Sequence, residues 1–212
     1  ELVMCDRRHR YMDRCQDDEV CVCEMSQANV EQISRIIEIA GSDPAGWRKT
    51  TLEERHKIMY EAANRLGEMR GDLIGCMCAI TGKTVVEGDV EVSEGIDYAR
   101  FYTTSMKLFA DLPDVDITPE GTVLVISPWN FPCAIPIGGI VAALAGGNTV
   151  ILKPATVAAP VAWLFAQAFW DAGVPKEALQ VIITDRDALK VLTSAPAIKH
   201  IILTGGTDTA QN

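Results

Sequence analysis

Two polar side chains follow apolar runs that have the composition of buried strands. The β-branched run Thr122–Ile126 ends in Ser127-Pro128-Trp129-Asn130, where the proline predicts a rigid turn that presents an amide beside an aromatic ring. A second apolar run, Thr149–Leu152, ends in Lys153 beside another proline. Open α/β sheets place their ligands at the carboxyl ends of strands. An amide and a lysine at adjacent strand ends would suit a ligand with polar oxygens.

A third segment has the composition of a phosphate-binding loop. The sequence Leu203-Thr204-Gly205-Gly206-Thr207 leads from a predicted strand through glycines into a helix. Bare backbone N–H groups at the amino end of a helix attract phosphate. Each of these motifs alone is more often an ordinary turn or a solvated charge, because short motifs have a high false-positive rate. Three of them in order on consecutive βα units favour a single binding site.

Composition narrows the classes of function. The 212 residues are 48% hydrophobic and 23% charged, which is ordinary for a soluble globular protein. A net charge of −10 argues against nucleic acid as a partner, since a phosphate backbone needs a basic face. Residues 131–152 carry no charge and could cross a bilayer, but Pro132, Pro136 and Gly146-Gly147-Asn148 divide them into a buried helix and a buried strand. We therefore expect no membrane segment.

The seven cysteines predict reduced thiols in the cytoplasm, because their count is odd, their spacing is irregular and no signal pattern opens the sequence. Cys21 and Cys23 could clip a metal together with Cys5 and Cys15. Their spacing matches no common zinc pattern, so we expect no metal site. Cys133 stands near a helix amino end, a place that favours thiolates. The sequence places no histidine or acid as its base, and we interpret it as a packing residue.

The chain divides into three parts. Residues 1–25 mix charges and cysteines without periodicity and predict a linker or part of a preceding element. Residues 26–110 predict a helical lead-in to residues 113–212, which form βα units. In this lead-in the first helix is predicted to begin at Ser26 and to end at Gly41, and a later helix is predicted to end at Gly82. Capping boxes are predicted at Thr51 with Glu54 and at Thr84 with Glu87.

The last part begins with a predicted hairpin around Val115–Thr118. Alternating strands and helices follow it, and they indicate an α/β fold with a partial Rossmann-like parallel sheet and flanking helices. The predicted strands are Thr122–Ile126, Thr149–Leu152, Leu179–Ile183 and His200–Leu203, and the helices between them are Ala134–Ala145, Val157–Trp170 and Arg186–Leu192.

The three strand-end motifs resemble the cofactor- and oxyanion-binding signature of the aldehyde dehydrogenase superfamily. The acidic helix Glu87–Tyr98, with Phe101-Tyr102 after it, resembles a helix of the glutamate semialdehyde (1-pyrroline-5-carboxylate) dehydrogenase branch. The resemblance covers Ser26–Asn212 and implies the N-terminal part of the aldehyde dehydrogenase fold, less than half of a family member. The nucleophilic cysteine, the activating glutamate and the catalytic domain of the family would lie beyond Asn212, so the chain alone is expected to be inactive.

The resemblance also implies a role for individual residues. Asn130 would be the oxyanion donor, a role that can contribute about 3 kcal/mol in a dry, preorganised site. The residues implied to bind NAD are Ile126, Ser127, Pro128 and Trp129 on the nicotinamide side, Lys153 with Ala155 and Thr156 at the adenosine ribose, Gly173 and Pro175 at the adenine, and Gly205, Gly206 and Thr207 at the pyrophosphate.

Two positions depart from the family pattern. The family commonly has a glutamate three residues after the lysine, and here Thr156 stands there. The missing carboxylate makes NADP an acceptable cofactor beside NAD. The family commonly has serine after the first glycine of its pyrophosphate loop, and here it is Gly206, which removes one hydroxyl donor but leaves the backbone donors.

The resemblance implies oxidation of L-glutamate γ-semialdehyde to glutamate, with a small-molecule aldehyde as substrate and a homo-oligomeric enzyme. In bacteria this branch often occurs fused to a proline dehydrogenase domain, and residues 1–25 would fit a linker between the two. Two alternatives stay open at this point. The first is another aldehyde dehydrogenase of the superfamily, including a CoA-acylating one, and the second is a non-catalytic nucleotide-binding or interaction module.

Overall fold

The computed structural model describes residues 7–16 and 20–211 and contains two sheets in that part of the chain. Strands β1 (Arg8–Met12) and β2 (Cys21–Ser26) form a two-stranded antiparallel sheet. Strands β3 (Thr122–Ser127), β4 (Thr149–Pro154), β5 (Leu179–Val181) and β6 (Ile198–Leu203) form a four-stranded sheet in the order β5-β4-β3-β6. Every pairing in this second sheet is parallel, which confirms the predicted α/β fold.

Eight helices lie in the described part of the chain, and four of them precede the parallel sheet. They are α1 (Val30–Ser42), α2 (Leu52–Glu68), α3 (Arg70–Thr81), α4 (Val85–Ala110), α5 (Ala134–Ala145), α6 (Ala159–Asp171), α7 (Arg186–Thr193) and α8 (Thr207–Gln211). Short 3-10 turns occupy Trp47–Lys49 and Thr156–Ala158. The helices α5, α6 and α7 connect successive strands of the parallel sheet, as the alternating pattern predicted.

The sheet is buried on both faces, and this fixes the tip of its central strand. Successive side chains of β3 point to opposite faces. Val123 and Val125 pack in the core formed with α2 to α6, whereas Leu124 and Ile126 pack in a second core with α1 and α7. All four side chains are at most 6% exposed. Strand β3 is therefore held by packing on two faces and by hydrogen bonds on two edges.

Local capping chemistry sets several helix ends. The capping boxes predicted at Thr51 and Thr84 are both present, and Gly82 ends α3 with a φ of 73°. The limits predicted for α1 were wrong. Ser26 belongs to β2, and Asn29 caps the helix instead because its side chain and that of Gln32 form a reciprocal capping box. The helix continues past Gly41 to Ser42, and Asp43 takes the left-handed conformation at its end.

Two other segments differ from the sequence prediction. Residues 8–26 contain the antiparallel strands β1 and β2, where the sequence showed no periodicity. Val115–Thr118 forms no strand, so the hairpin predicted there was wrong. The chain before β3 is held instead by the side chain of Asn148, whose Oδ1 accepts the N–H groups of Glu120 and Gly121 at 2.8 and 3.0 Å. The division of the chain at residue 25 stays a prediction.

None of the helices in the described residues has the length and the apolar composition that a membrane span requires. The uncharged stretch that the sequence raised as a candidate span is divided between the buried helix α5 and the buried strand β4, as predicted.

Candidate functional site

The parallel sheet brings the three polar motifs together at the carboxyl ends of its strands. Ile126 and Ser127 lie in register with Lys153 and Pro154 of β4, and the N–H of Ala155 donates to the carbonyl oxygen of Ser127 at 2.9 Å. On the other side of β3, the N–H of Thr204 donates to the carbonyl oxygen of Ile126 at 3.0 Å. The residues after β3, β4 and β6 therefore start side by side.

This end of the sheet contains its switch point. From β3 the chain moves outward to β4 and then to β5, and it returns to pair β6 with the opposite edge of β3. The connections on the two sides of β3 thus diverge and leave a crevice outside the strand ends. Open α/β sheets bind their ligands at such a point.

The turn after β3 presents its polar and aromatic groups to solvent. Asn130 is exposed, and the side chains of Trp129 and Phe131 are 57% and 43% exposed. Pro132 and Cys133 return to the interior and lead into α5. The amide of Asn130 is therefore carried on a short exposed segment that is anchored in buried structure at both ends.

Two polar side chains at the strand ends lack partners among the described residues. The Oγ of Ser127 is buried without a hydrogen bond, although the residue is only 4% exposed. Burial lowers the pKa of Lys153 below its ordinary value, and no described carboxylate pairs with it. A desolvated ammonium is stabilised by ligand oxygens, because unpaired polar groups are costly to bury.

The third motif lies beyond β6 and is open to solvent. Gly205, Gly206 and Thr207 are exposed, and α8 begins at Thr207. A Cβ on Gly206 would have open space around it, so the backbone there is accessible. Thr156 opens the 3-10 turn that follows Lys153 and Ala155. The structure therefore brings Asn130, Lys153 and Thr156 to the same end of the sheet as Gly205, Gly206 and Thr207, which we call the glycine loop.

The structure does not bring Gly173 and Pro175 to that end. Both residues precede β5 and so lie at the amino ends of the parallel strands, whereas Lys153 lies at the carboxyl ends. A Cβ on Gly173 would lie 3.6 Å from Ile58 of α2. That these residues border the adenine stays a prediction. The segment that follows β5 at the carboxyl ends of the strands is Ile182–Asp185.

Cys133 is a buried residue at the start of α5. Its side chain is 0% exposed, and burial, together with the neighbouring Glu91, raises the pKa of the thiol well above its usual range. The thiol form is therefore favoured, in agreement with a packing role. An acid does lie beside it, contrary to the sequence reading, but Glu91 accepts the backbone N–H of Cys133 at 2.7 Å.

The other cysteines form no recognisable chemical centre. Cys15, Cys21, Cys23, Cys76, Cys78 and Cys133 are free thiols, and Cys5 lies outside the described residues. No group of three histidine, cysteine, aspartate or glutamate side chains converges as a metal site in the part of the chain that the structure describes. A cleft of about 510 Å3 between α2 and α4, lined in part by Asn64, Arg70 and Arg100, lies in the helical layer and not at the strand ends.

Comparison with known proteins agrees with this arrangement. A 1-pyrroline-5-carboxylate dehydrogenase of Geobacillus sp. (strain WCH70) is 33% identical over 195 residues, which are 87% of this chain and 38% of the relative. An alpha-ketoglutaric semialdehyde dehydrogenase of Bacillus subtilis (strain 168) is 33% identical over 168 residues, 74% of this chain and 34% of the relative. The chain thus spans well under half the length of these proteins.

Solved structures and a family model extend the comparison to the fold. The structure of Proline Utilization A (PutA) from Corynebacterium freiburgense matches 86% of this chain and 19% of that protein, with a TM-score of 0.78 and 39% identity. The parallel sheet and its helices correspond to the N-terminal part of the aldehyde dehydrogenase fold. The model of the Aldehyde dehydrogenase family matches residues 5–212. This chain belongs to the aldehyde dehydrogenase family.

Proposed function

We propose that the chain is the cofactor-binding part of an NAD(P)-dependent aldehyde dehydrogenase that oxidises L-glutamate γ-semialdehyde to glutamate. The observation that carries the proposal is the convergence of Asn130, Lys153 and the glycine loop at the switch point of the sheet. The desolvated Lys153 fits a ligand rich in hydroxyl and phosphate oxygens. NAD(P), when bound, supplies the acceptor for the hydride.

The residues of this chain would bind and orient the reactants. Lys153 would donate hydrogen bonds to hydroxyl oxygens of the cofactor, and the backbone N–H groups near Gly205 and Gly206 would hold its phosphates. Asn130 donates its amide N–H to the aldehyde oxygen as negative charge develops there during thiolate attack. Because the amide is preorganised on an anchored turn, little reorganisation is needed when that charge appears.

The names of the relatives support the substrate that we propose. The Geobacillus relative is named for 1-pyrroline-5-carboxylate, and the structural relative is a Proline Utilization A protein. We extend both to this chain as a proposal, with a proline dehydrogenase domain on the same polypeptide and a homo-oligomeric enzyme in the cytoplasm. The Bacillus subtilis relative is named for a different semialdehyde, so a related semialdehyde is the competing substrate.

Cofactor binding can be tested on this chain by titration calorimetry with NAD, NADP and ADP-ribose. Lys153→Met removes the ammonium that contacts the ribose, and we expect affinity to fall at least about tenfold, the loss of one good charged hydrogen bond. Lys199→Met is the matched control, because Lys199 lies near the amino end of β6 and donates to the carbonyl of Pro196. Equal losses in the two variants, or no binding by the chain itself, would contradict the proposed site.

The substrate is tested in a protein of family length that contains this chain. Glutamate semialdehyde should give the highest kcat/KM among aldehydes that include alpha-ketoglutaric semialdehyde and an aromatic aldehyde. The chain of 212 residues alone should give no turnover, since the residues implied for nucleophile and base are not in it. A higher kcat/KM for alpha-ketoglutaric semialdehyde would replace the proposed substrate with the competing one.

A further inference from the structure

A buried carboxylate fixes the point where α5 begins, just after the turn that carries Asn130. Glu91 of α4 is 1% exposed, and its Oε1 accepts the N–H groups of Cys133 and Ala134 at 2.7 and 3.1 Å. The first N–H groups of a helix have no partner inside the helix, and a negative charge is favourable at its amino end. Glu91 therefore supplies both the hydrogen bonds and the charge that the start of α5 requires.

A lysine connects this carboxylate to the turn itself. The Nζ of Lys83 lies 2.5 Å from Oε2 of Glu91, and the lysine side chain is only 12% exposed. The same Nζ lies 4.2 Å from the centroid of the Phe131 ring, where a cation is attracted by the ring face. Phe131 directly follows Asn130. The ion pair therefore contacts the chain on the helix side of Asn130 at two places.

The helices that carry and receive these contacts pack closely. A Cβ on Gly95 of α4 would lie 3.0 Å from the side chain of Ile137 of α5. The absence of a side chain at Gly95 therefore lets the two helices pack closely. Strand β3 holds the other end of the turn through its pairing with β4 and β6. The segment from Pro128 to Pro132 is thus held at one end by strand β3 and at the other end by the start of α5, which Glu91 binds.

We infer that Lys83 and Glu91 are positioning residues for the side-chain amide of Asn130. They touch neither aldehyde nor cofactor in this view, and they act by setting where Phe131 and the start of α5 lie. The inference rests on the oxyanion role proposed for Asn130. The competing interpretation is that the pair only stabilises the packing of α4 against α5.

The kinetic test uses Lys83→Met and Glu91→Gln in a dehydrogenase of family length that contains this chain. Misplacing a reacting group by about 1 Å can cost about 100-fold in rate, so we expect kcat to fall at least about tenfold. The KM for the cofactor should stay within about twofold, because Lys153 and the glycine loop are not contacted by the pair. Removing one partner of a buried pair can also destabilise the fold. Glu91→Gln retains the acceptor for the two N–H groups and serves as the milder variant.

Arg70→Gln is the matched control. Arg70 of α3 pairs at 2.6 Å with Asp89, which lies on α4 two residues before Glu91, and it also donates a hydrogen bond to Ser93 of α4. This pair is more exposed than that of Lys83 with Glu91. We expect Arg70→Gln to leave kcat unchanged within about twofold. Equal kcat losses in Lys83→Met and Arg70→Gln would mean that any loosening of α4 lowers the rate, and the inference would be overturned.

A double-variant cycle separates positioning from general stability. If Lys83 acts through Asn130, Lys83→Met should lower kcat at least about tenfold in the parent enzyme and less than about threefold in the Asn130→Ala background. An equal loss in both backgrounds would show that the lysine acts on something other than the amide and would overturn the inference.

A structural measurement keeps the inference separate from the proposed function. With 5-fluorotryptophan in the 212-residue chain, Lys83→Met should shift the fluorine resonance of Trp129, and Arg70→Gln should not. Assignment requires only the loss of one signal in Trp129→Phe. If no aldehyde is oxidised but this shift occurs, the proposed function fails and the positioning of the turn stands. An unshifted Trp129 signal contradicts the positioning even in an active enzyme.

Discussion

Lys153 carries its chemistry because the fold takes its ammonium partly out of water without pairing it. Lys153 belongs to a strand whose other residues are buried, so its ammonium loses hydration at the edge of the sheet. A buried cation without a partner costs free energy that a ligand can return on binding. Asn130 differs from Lys153, because its amide is exposed and can be hydrated in the free chain. It would lower the free energy only when negative charge develops next to it.

The oxyanion role of Asn130 leads to the first prediction. In a dehydrogenase of family length, Asn130→Ala should lower kcat about 100- to 1,000-fold, the loss seen when one oxyanion donor is removed. The dissociation constant for NAD should change less than about threefold, because the amide is needed in the transition state and not in the ground state. Steady-state kinetics and a separate binding titration measure the two effects. A variant with weaker NAD binding and full turnover at saturation would refute the assignment.

Cofactor choice at Thr156 gives the second prediction. A carboxylate at this position would accept hydrogen bonds from the ribose hydroxyls and repel a 2′-phosphate, whereas threonine is neutral and leaves Lys153 available to the phosphate. Two charges about 4 Å apart near a protein surface interact by about 4 kcal/mol, enough for a tenfold preference or more. We expect NADP to be used beside NAD, and Thr156→Glu to make the enzyme strictly NAD-dependent. The measurement is kcat/KM with each cofactor, and an unchanged ratio in the variant contradicts it.

At the scale of elements, helix caps predict a loss of stability in acid. The pKa of Asp185 is lowered by the N–H of Ala188, which it accepts as the cap of α7, and by Arg7. A carboxylate with a lowered pKa stabilises the fold above its unfolded pKa of about 4, and that contribution is lost as pH falls through the folded pKa. The same direction holds for the capping-box acids Glu54 and Glu87, whose pKa values are lowered by hydrogen bonds from the Thr at each cap.

The third prediction follows from these caps. The free energy of unfolding of the chain should decrease between about pH 5 and pH 2, and Asp185→Asn should make that decrease smaller while it preserves a good N-cap. Urea unfolding at several pH values measures it. The control is Asp187→Asn, which removes an exposed carboxylate of the same helix whose contact with Lys190 is 3.7 Å long. Equal pH profiles for the two variants would contradict the cap assignment.

Elements whose signals are local could be predicted from the sequence. Helix α5 was predicted to the residue, because turn residues bound an uncharged apolar run, and the capping boxes at Thr51 and Thr84 are read from residues three apart. Strands β1 and β2 were missed, because they pair residues as far apart as Arg8 and Ser26, and Tyr11 packs against residues that are much later in the chain, such as Ile80. No periodicity in either strand reports such a pairing.

In the site, too, residues with local sequence signals could be predicted and residues placed by long-range contacts could not. Asn130, Lys153 and Gly205 could be predicted together, because each lies at or just beyond the carboxyl end of a strand, and the strands of a parallel sheet share that end. Gly173 and Pro175 were assigned by the resemblance alone, and they precede β5, away from the strand ends that carry the other residues. Glu91 was missed because a buried acid 42 residues from Cys133 gives no local signal in the sequence.

At the scale of the whole molecule, the parallel sheet ends in a strand with one open edge. Strand β6 pairs with β3 only, among the described residues, and its Ile201 and Ile202 side chains are 45% and 37% exposed. Strand β5, at the other end of the sheet, is shorter and less exposed, and helix α6 packs against it. An open edge with apolar neighbours is a template for pairing with another chain.

The fourth prediction is that the 212-residue chain self-associates through β6. Sedimentation over a range of concentrations should show dimers or larger species, and Ile201→Lys should raise their dissociation constant at least about tenfold, because lysine on an edge strand opposes pairing and removes apolar contact. Val86→Lys is the control, since Val86 is 74% exposed on α4, away from the sheet edge. It should leave association unchanged if β6 is the interface. A strict monomer at high concentration would contradict the prediction outright, and a larger effect of Val86→Lys would move the interface from the sheet edge to the exposed face of α4.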